Sequence, residues 1–135
     1  MSQSLSALSP DLQRRLQQEE IIWFTTVNAR GVPTPNPVWF LWDGECIVVF
    51  SQPQSVRVRN IRNNPQVART LQGVDGMGNN VVIINGSADL RPGNQSIPAA
   101  YWKKYKRLLQ DMSPDEMTSS YNVEIRVKPW RVRTE

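Results

Sequence analysis

Residues 32–50 read VPTPNPVWFLWDGECIVVF, and this stretch decides the fold. Pro33, Pro35 and Pro37 stand at every second position, which forbids a helix and removes alternate ladder donors. The spacing predicts a strand over Val32–Trp42 whose first half lies at a sheet edge or beside a bulge. Asp43-Gly44 is a hairpin turn signal, and Cys46-Ile47-Val48-Val49-Phe50 is the returning strand. Two strands joined by so tight a turn are antiparallel. Alternation puts Trp39 on the face opposite Phe40 and Trp42. Either one face fills the core and the other offers a large ring to a flat ligand or partner, or all three rings simply pack.

On the N-terminal side, Ile21–Val27 (IIWFTTV) is β-branched, aromatic and too short for a buried helix, so it predicts a strand. Asn28-Ala29-Arg30-Gly31 then turns the chain into the proline strand. Before it, Ser9-Pro10-Asp11 is a helix start, with Leu12 and Leu16 on one face of a short helix ending near Glu20.

On the C-terminal side, Ser55 caps a helix with Val58 and Ile61 inward and Arg57, Arg59 and Arg62 outward; Asn63-Asn64-Pro65 ends it. Val67–Gln72 and Asn80–Leu90 predict strands, the latter with a bulge at Gly86. Ile97–Gln110 predicts a helix with Tyr101, Tyr105 and Leu108 on one face, and Ser113-Pro114-Asp115-Glu116 a capping box. Tyr121–Lys128 alternates as a half-buried strand, and Pro129 separates it from a last short strand at Trp130–Arg133. Six hairpin-linked antiparallel strands with short peripheral helices close most economically into a small barrel.

The chain has 135 residues, 39% apolar and 21% charged, with no linker or repeat, so it predicts one domain spanning 1–135. No window reaches the ~18 apolar residues of a membrane span. The first twenty residues lack a signal-peptide pattern, and the expected location is the cytoplasm. With one cysteine, Cys46, and no histidine, an internal disulfide, a cysteine metal cluster and histidine-based catalysis are excluded. Cys46 reads as an inert core thiol, and no metal site is expected. If the chain is an enzyme, its reactive atoms are expected to belong to a bound cofactor, with the protein supplying a shaped and charged site.

The net charge is +4. Between Glu45 and Asp75 there is no acid, while Arg57, Arg59, Arg62 and Arg69 contribute four positive charges, equal to the whole surplus. The arginine helix begins where free backbone N–H groups and the helix dipole attract phosphate. Ser51 and Ser55 add hydroxyls, and Arg57 and Arg59 add forked cations. The plain alternative is a solvated helix face. The Gly73–Gly78 stretch GVDGMG lacks the Lys-Ser/Thr of a phosphate loop and is discounted.

TTVNARGVPTPNPVWFLWDG, SVRVRNIRNNPQVA and VVIINGSADL together resemble the flavin-binding split-barrel proteins related to pyridoxamine 5′-phosphate oxidase. The basic-x-basic-Asn-Ile-x-x-Asn-Pro run is the most telling part, and the likeness covers about residues 10–128. The resemblance implies a mainly β, six-stranded antiparallel split β-barrel. It also implies a homodimer with cofactor sites at the interface, binding FMN or, in a subgroup, the deazaflavin coenzyme F-420. By position, Ser51, Arg57, Arg59 and Asn60 match the phosphate-side residues. Val38, Trp39 and Phe40 match the strand along the ring, and the Gly73–Asn80 loop matches the part reaching the partner's site.

There are departures. True pyridoxamine phosphate oxidases are longer and hold the substrate phosphate with extra basic residues, including a histidine, which this chain cannot supply. The expected activity is therefore flavin-dependent oxidation or reduction of an unidentified small molecule, with no catalytic side chain apparent. A deazaflavin-dependent reductase and a non-catalytic flavin- or haem-type carrier or sensor are the alternatives. Single-stranded nucleic-acid binding is disfavoured, because the positive charge sits on one short helix rather than along a groove.

Overall fold

The computed structural model describes residues 2–3, 8–73, 80–91, 97–109, 113, 116 and 119–134. Eight strands are described: β1 (Ser2–Gln3), β2 (Ile22–Val27), β3 (Pro33–Val38), β4 (Leu41–Trp42), β5 (Ile47–Ser51), β6 (Gln66–Leu71), β7 (Val82–Arg91) and β8 (Val123–Thr134). Three helices, α1 (Pro10–Gln18), α2 (Val56–Asn63) and α3 (Ala99–Leu109), lie between them. The sheet runs β3-β2-β6-β7-β8-β5-β4, with β1 added beside β8, and every pairing is antiparallel. No described helix is long and apolar enough to cross a membrane.

The two ends of this path, β3 and β4, are neighbours in sequence, with only Trp39 and Phe40 between them. The proline strand pairs with β2 alone, so its missing donors lie at an edge, as the spacing predicted. The expected single strand over Val32–Trp42 is instead broken at Trp39-Phe40. Its first part joins one end of the sheet and its last part, β4, joins the other. The dipeptide is where the split barrel closes.

The six strands expected for the barrel, with the short strand after Pro129 not counted among them, become eight for two physical reasons. One is this break; the other is the extra pair β1–β8, which joins Ser2 to Arg133 and Gln3 to Val132. The predicted division at Pro129 also fails, because β8 runs unbroken through it. Asn85 faces Arg131 and Gly86 faces Pro129, so Trp130 is the unpaired extra residue of a bulge. A bulge tolerates the missing proline N–H, and Trp130 turns outward. A Cβ at Gly86 would lie 2.5 Å from Val127 Cγ1 and 2.9 Å from the Lys128 carbonyl oxygen, so only glycine lets β7 approach β8 here.

Local signals hold at the element ends. Ser9 Oγ accepts from Leu12 N (3.1 Å) and Ser55 Oγ from Val58 N (3.3 Å), capping α1 and α2. Glu116 N donates to Ser113 Oγ (3.2 Å) and Ser113 N to the Glu116 carboxylate (3.4 Å), the reciprocal capping box. At the hairpin turn, Asp43 Oδ1 accepts from Glu45 N and Cys46 N, while Gly44 adopts φ 98°.

Two apolar layers share β5, which is buried on both faces. Ile47 and Val49 point into the barrel with Ile22, Phe24, Phe40 and Ile125. Val48 and Phe50 point outward, under Tyr101 and Tyr105 of α3. Each fully buried aliphatic contributes about 1.5–3 kcal/mol. Cys46 is free and half-buried at the margin of the outer layer.

Candidate functional site

The break at Trp39-Phe40 leaves backbone groups without ladder partners, and α3 supplies them. Phe40 N donates to the Tyr105 hydroxyl (2.9 Å), which faces the carbonyl oxygens of Phe40 (3.0 Å) and Glu20 (2.8 Å). Lys104 Nζ also donates to the Phe40 carbonyl (3.0 Å) and lies 3.8 Å from the centre of the Phe40 ring. Burial lowers the Lys104 ammonium to about 8, against the opposing pull of Glu20 and Glu19. Tyr105 also stacks on Trp39, with ring centres 4.5 Å apart and planes 6° from parallel.

Beside this staple opens a cleft of 290 Å³. Val38 and Trp39 form one wall and Val49 and Phe50 of β5 another. Tyr101, Leu108 and Leu109 of α3 close over it, Tyr121 stands before β8, and Arg57 from the first turn of α2 supplies the charged end. Arg57 is held in place because Nη1 donates to Ser51 Oγ at 2.7 Å, and Ser51 is fully buried at the end of β5. Its Nε is buried without a hydrogen-bond partner among the described residues. Burial pulls the Arg57 guanidinium below its ordinary range. A half-buried, partly unsatisfied guanidinium beside aromatic walls suits a ligand with a flat apolar part and an anionic end.

Of the predicted site residues, the structure brings Val38, Trp39, Ser51 and Arg57 together. Phe40 points the other way and is fully buried in the barrel. Asn60 is buried, and its amide nitrogen donates to Thr26 Oγ1 (2.9 Å) and Thr34 Oγ1 (3.0 Å), tying α2 to the β2–β3 hairpin. Arg59 lies on the exposed face of α2. Of the loop expected to reach a partner, residues 74–79 lie outside the described residues. Tyr101, Tyr121 and Phe50 are additions that the sequence reading did not place in the site. The helical spacing of Tyr101 and Tyr105 marked a buried face without showing what that face covers. No cluster of potential metal ligands occurs among the described residues.

A family model described as pyridoxamine 5′-phosphate oxidase matches residues 8–135. The chain belongs to this family. No curated protein matches it by sequence. Among solved structures, an F420 reductase is 25% identical, with a TM-score of 0.73 over 91% of this chain and 96% of that one. A conserved hypothetical protein of Mycobacterium tuberculosis is 20% identical, with a TM-score of 0.78 over 95% and 84%. HutZ, a heme storage protein of Vibrio cholerae, is 15% identical, with a TM-score of 0.68 over 94% of each chain. The last two likenesses show a shared fold and nothing about ligands.

Proposed function

We propose that this family member is an FMN-dependent oxidoreductase acting on a small molecule other than a vitamin-B6 phosphate. The observation that carries the reading is the Arg57 guanidinium, anchored by Ser51 and with its Nε unpartnered among the described residues, at the end of a cleft walled by Trp39, Tyr101 and Tyr121. An anionic tail at Arg57 would satisfy that donor, and the rings would flank a planar group. When bound, a flavin supplies hydride transfer. The chain's own part is to neutralise the tail, to orient the ring with Val38 and Trp39, and to exclude water with the α3 aromatics. With no histidine in the chain, no imidazole carries a proton to the reacting atoms.

The cleft is at the lower end of the roughly 300–1,000 Å³ usual for ligand sites, which supports completion by a second copy of the chain in a homodimer. The likeness to an F420 reductase favours a deazaflavin as the alternative coenzyme. Titration of the purified protein with FMN, followed by flavin fluorescence, tests the reading. One FMN per subunit is expected, and Arg57→Ala is expected to weaken it by about 1.5–3 kcal/mol per charged hydrogen bond lost. Absence of binding by FMN and deazaflavin alike overturns it. Persistent binding without turnover of reduced nicotinamide, or of reduced deazaflavin with an acceptor, replaces the enzyme with a carrier.

A further inference from the structure

A second run of cations without an acid lies between Asp89 and Asp111: Arg91, Lys103, Lys104, Lys106 and Arg107. Three of the chain's four lysines stand on α3, AAYWKKYKRLL, which contains no acid at all. The helix divides by face. Tyr101 and Tyr105 turn inward to the layer over β5, and Leu108 and Leu109 reach the cleft. Lys104 is taken by the Phe40 carbonyl and ring, and Arg107 by the Glu20 carboxylate. Lys103 and Lys106 are exposed, and neither makes an ion pair or side-chain hydrogen bond among the described residues.

This arrangement costs the helix stability. Lys103 stands one turn from both Lys106 and Arg107, and like charges at i,i+3 and i,i+4 repel. Helix α1 is built the other way: Arg14 meets Asp11 and Arg15 meets Glu19 within one turn. On α3 the neighbours of Lys106 are instead apolar, Trp102 at i−4 and Leu109 at i+3, both half-buried. The Trp102 ring stands edge-on to Tyr101 with centres 6.3 Å apart, which holds the indole at the margin of the basic face. Exposed cations bordered by a half-exposed indole are the composition of a helix that lies in a lipid–water interface. The choice of lysine fits as well. An ammonium on a flexible stem suits a diffuse anionic surface, whereas a forked guanidinium suits one fixed oxyanion.

We propose that the outer face of α3 docks on an anionic lipid bilayer, with Lys103 and Lys106 at the headgroups and Trp102 at the apolar boundary. Eleven residues reach about 16 Å, far short of a bilayer core of ~30 Å. The helix therefore lies on the membrane while Tyr101 and Tyr105 keep it packed on the barrel. A single convex helix face offers no groove to track a nucleic-acid strand. Lys103, Lys106 and Trp102 do not line the cleft, so the docking is independent of what the cleft holds.

The test is co-sedimentation of the full chain with two kinds of vesicle, phosphatidylcholine alone and an equimolar mixture with phosphatidylserine. Wild type is expected to sediment with the mixed vesicles and to stay in solution with phosphatidylcholine. Raising salt from about 0.1 M to about 1 M shortens the screening length from about 10 Å to about 3 Å and is expected to release it. Lys103→Gln and Lys106→Gln are each expected to weaken the partition about fivefold. A control with the same loss of charge elsewhere, Arg30→Gln with Arg131→Gln, is expected to sediment as wild type does. Mixed vesicles are expected to shift the tryptophan emission of wild type to the blue, and Trp102→Phe is expected to lose that shift. Equal losses in the control and in the lysine variants overturn the proposal, because binding then follows net charge rather than α3. If a variant fails to fold, wild type decides, and sedimentation indifferent to phosphatidylserine overturns it. Retention on polyglutamate or on a single-stranded oligonucleotide, with none on mixed vesicles, overturns it in favour of an acidic peptide or a nucleic acid.

Discussion

The two faces of β5 are both dry, yet they are built differently. Inside the barrel, Ile47 and Val49 meet aliphatic side chains and the apolar faces of Phe24 and Phe40. Outside, Val48 and Phe50 meet Tyr101 and Tyr105, with Trp39 and Trp102 at the margin. The interior needs volume and shape, because its strands satisfy their own backbones. The outer layer needs volume with polar tips, because it covers the place where the sheet is interrupted. A phenol offers both: the Tyr105 ring stacks on Trp39 while its hydroxyl serves the broken strand. The cleft sits in the outer layer, where aromatic faces and a charged group occur together.

Breaking the interior should have the largest effect. Phe40→Ala removes a fully buried ring and should destabilise the chain by about 3–5 kcal/mol in urea unfolding. If the loss is within 1 kcal/mol, the barrel does not depend on closure at Phe40. Next comes Tyr105→Phe, which keeps the stacked ring but leaves the buried Phe40 N–H unsatisfied. About 1–3 kcal/mol should be lost, with near-ultraviolet circular dichroism largely retained. An unchanged midpoint would show that water serves the break equally well.

Ser51→Ala sharpens the contrast from the side of the cleft. Stability should fall by about 1.5 kcal/mol, the lower end for one hydrogen bond to a charged group. FMN affinity, measured by fluorescence quenching, should fall with it as Arg57 loses its anchor. Equal FMN affinity would mean that Arg57 needs no such hold.

The smallest effect concerns pH. Lys104 titrates at about 8 in the folded chain, below its ordinary 10.5. Below pH 8 both folded and unfolded chains carry the proton, and the burial penalty is fully present. Between these values the unfolded chain binds more protons, so stability should rise with pH. The stability of wild type relative to Lys104→Met should therefore improve from pH 7.5 to 10; a flat difference would show that Lys104 is better hydrated than its burial implies.

Much of the scaffold was legible because its signals are local. The caps at Ser9, Ser55 and Ser113, the Asp43-Gly44 turn and the edge position of the proline strand depend on a few neighbouring residues. Alternation also placed Trp39 opposite Phe40 correctly. It could not show that the strand would break between them, because closure depends on where the far end of the sheet arrives. The uninterrupted passage through Pro129 was hidden likewise: the bulge at Trp130 needs Gly86 facing Pro129, from some forty residues earlier.

The candidate site was legible only in part. Ser51 ends β5 and Arg57 lies in the first turn of α2, only six residues on, so their meeting is nearly local. Asn60 stands on the same short helix, yet its amide turns to Thr26 and Thr34 across the sheet. Arg69 was visible as a charge, and the inward parity of Val67 and Leu71 could have flagged it as a buried one.

Residue types and short-range spacing alone determined that this chain makes an antiparallel barrel without histidine chemistry or an internal disulfide, with its positive charge gathered after β5. Backbone conformation and hydrogen-bonding capacity act over a few residues and can be read along the chain. Which arginine reaches the cleft, which is buried inside the barrel, and which tyrosine bridges the gap were decided by tertiary structure. Those outcomes depend on distances between segments far apart in sequence, and burial acquires its energetic meaning only when those segments meet.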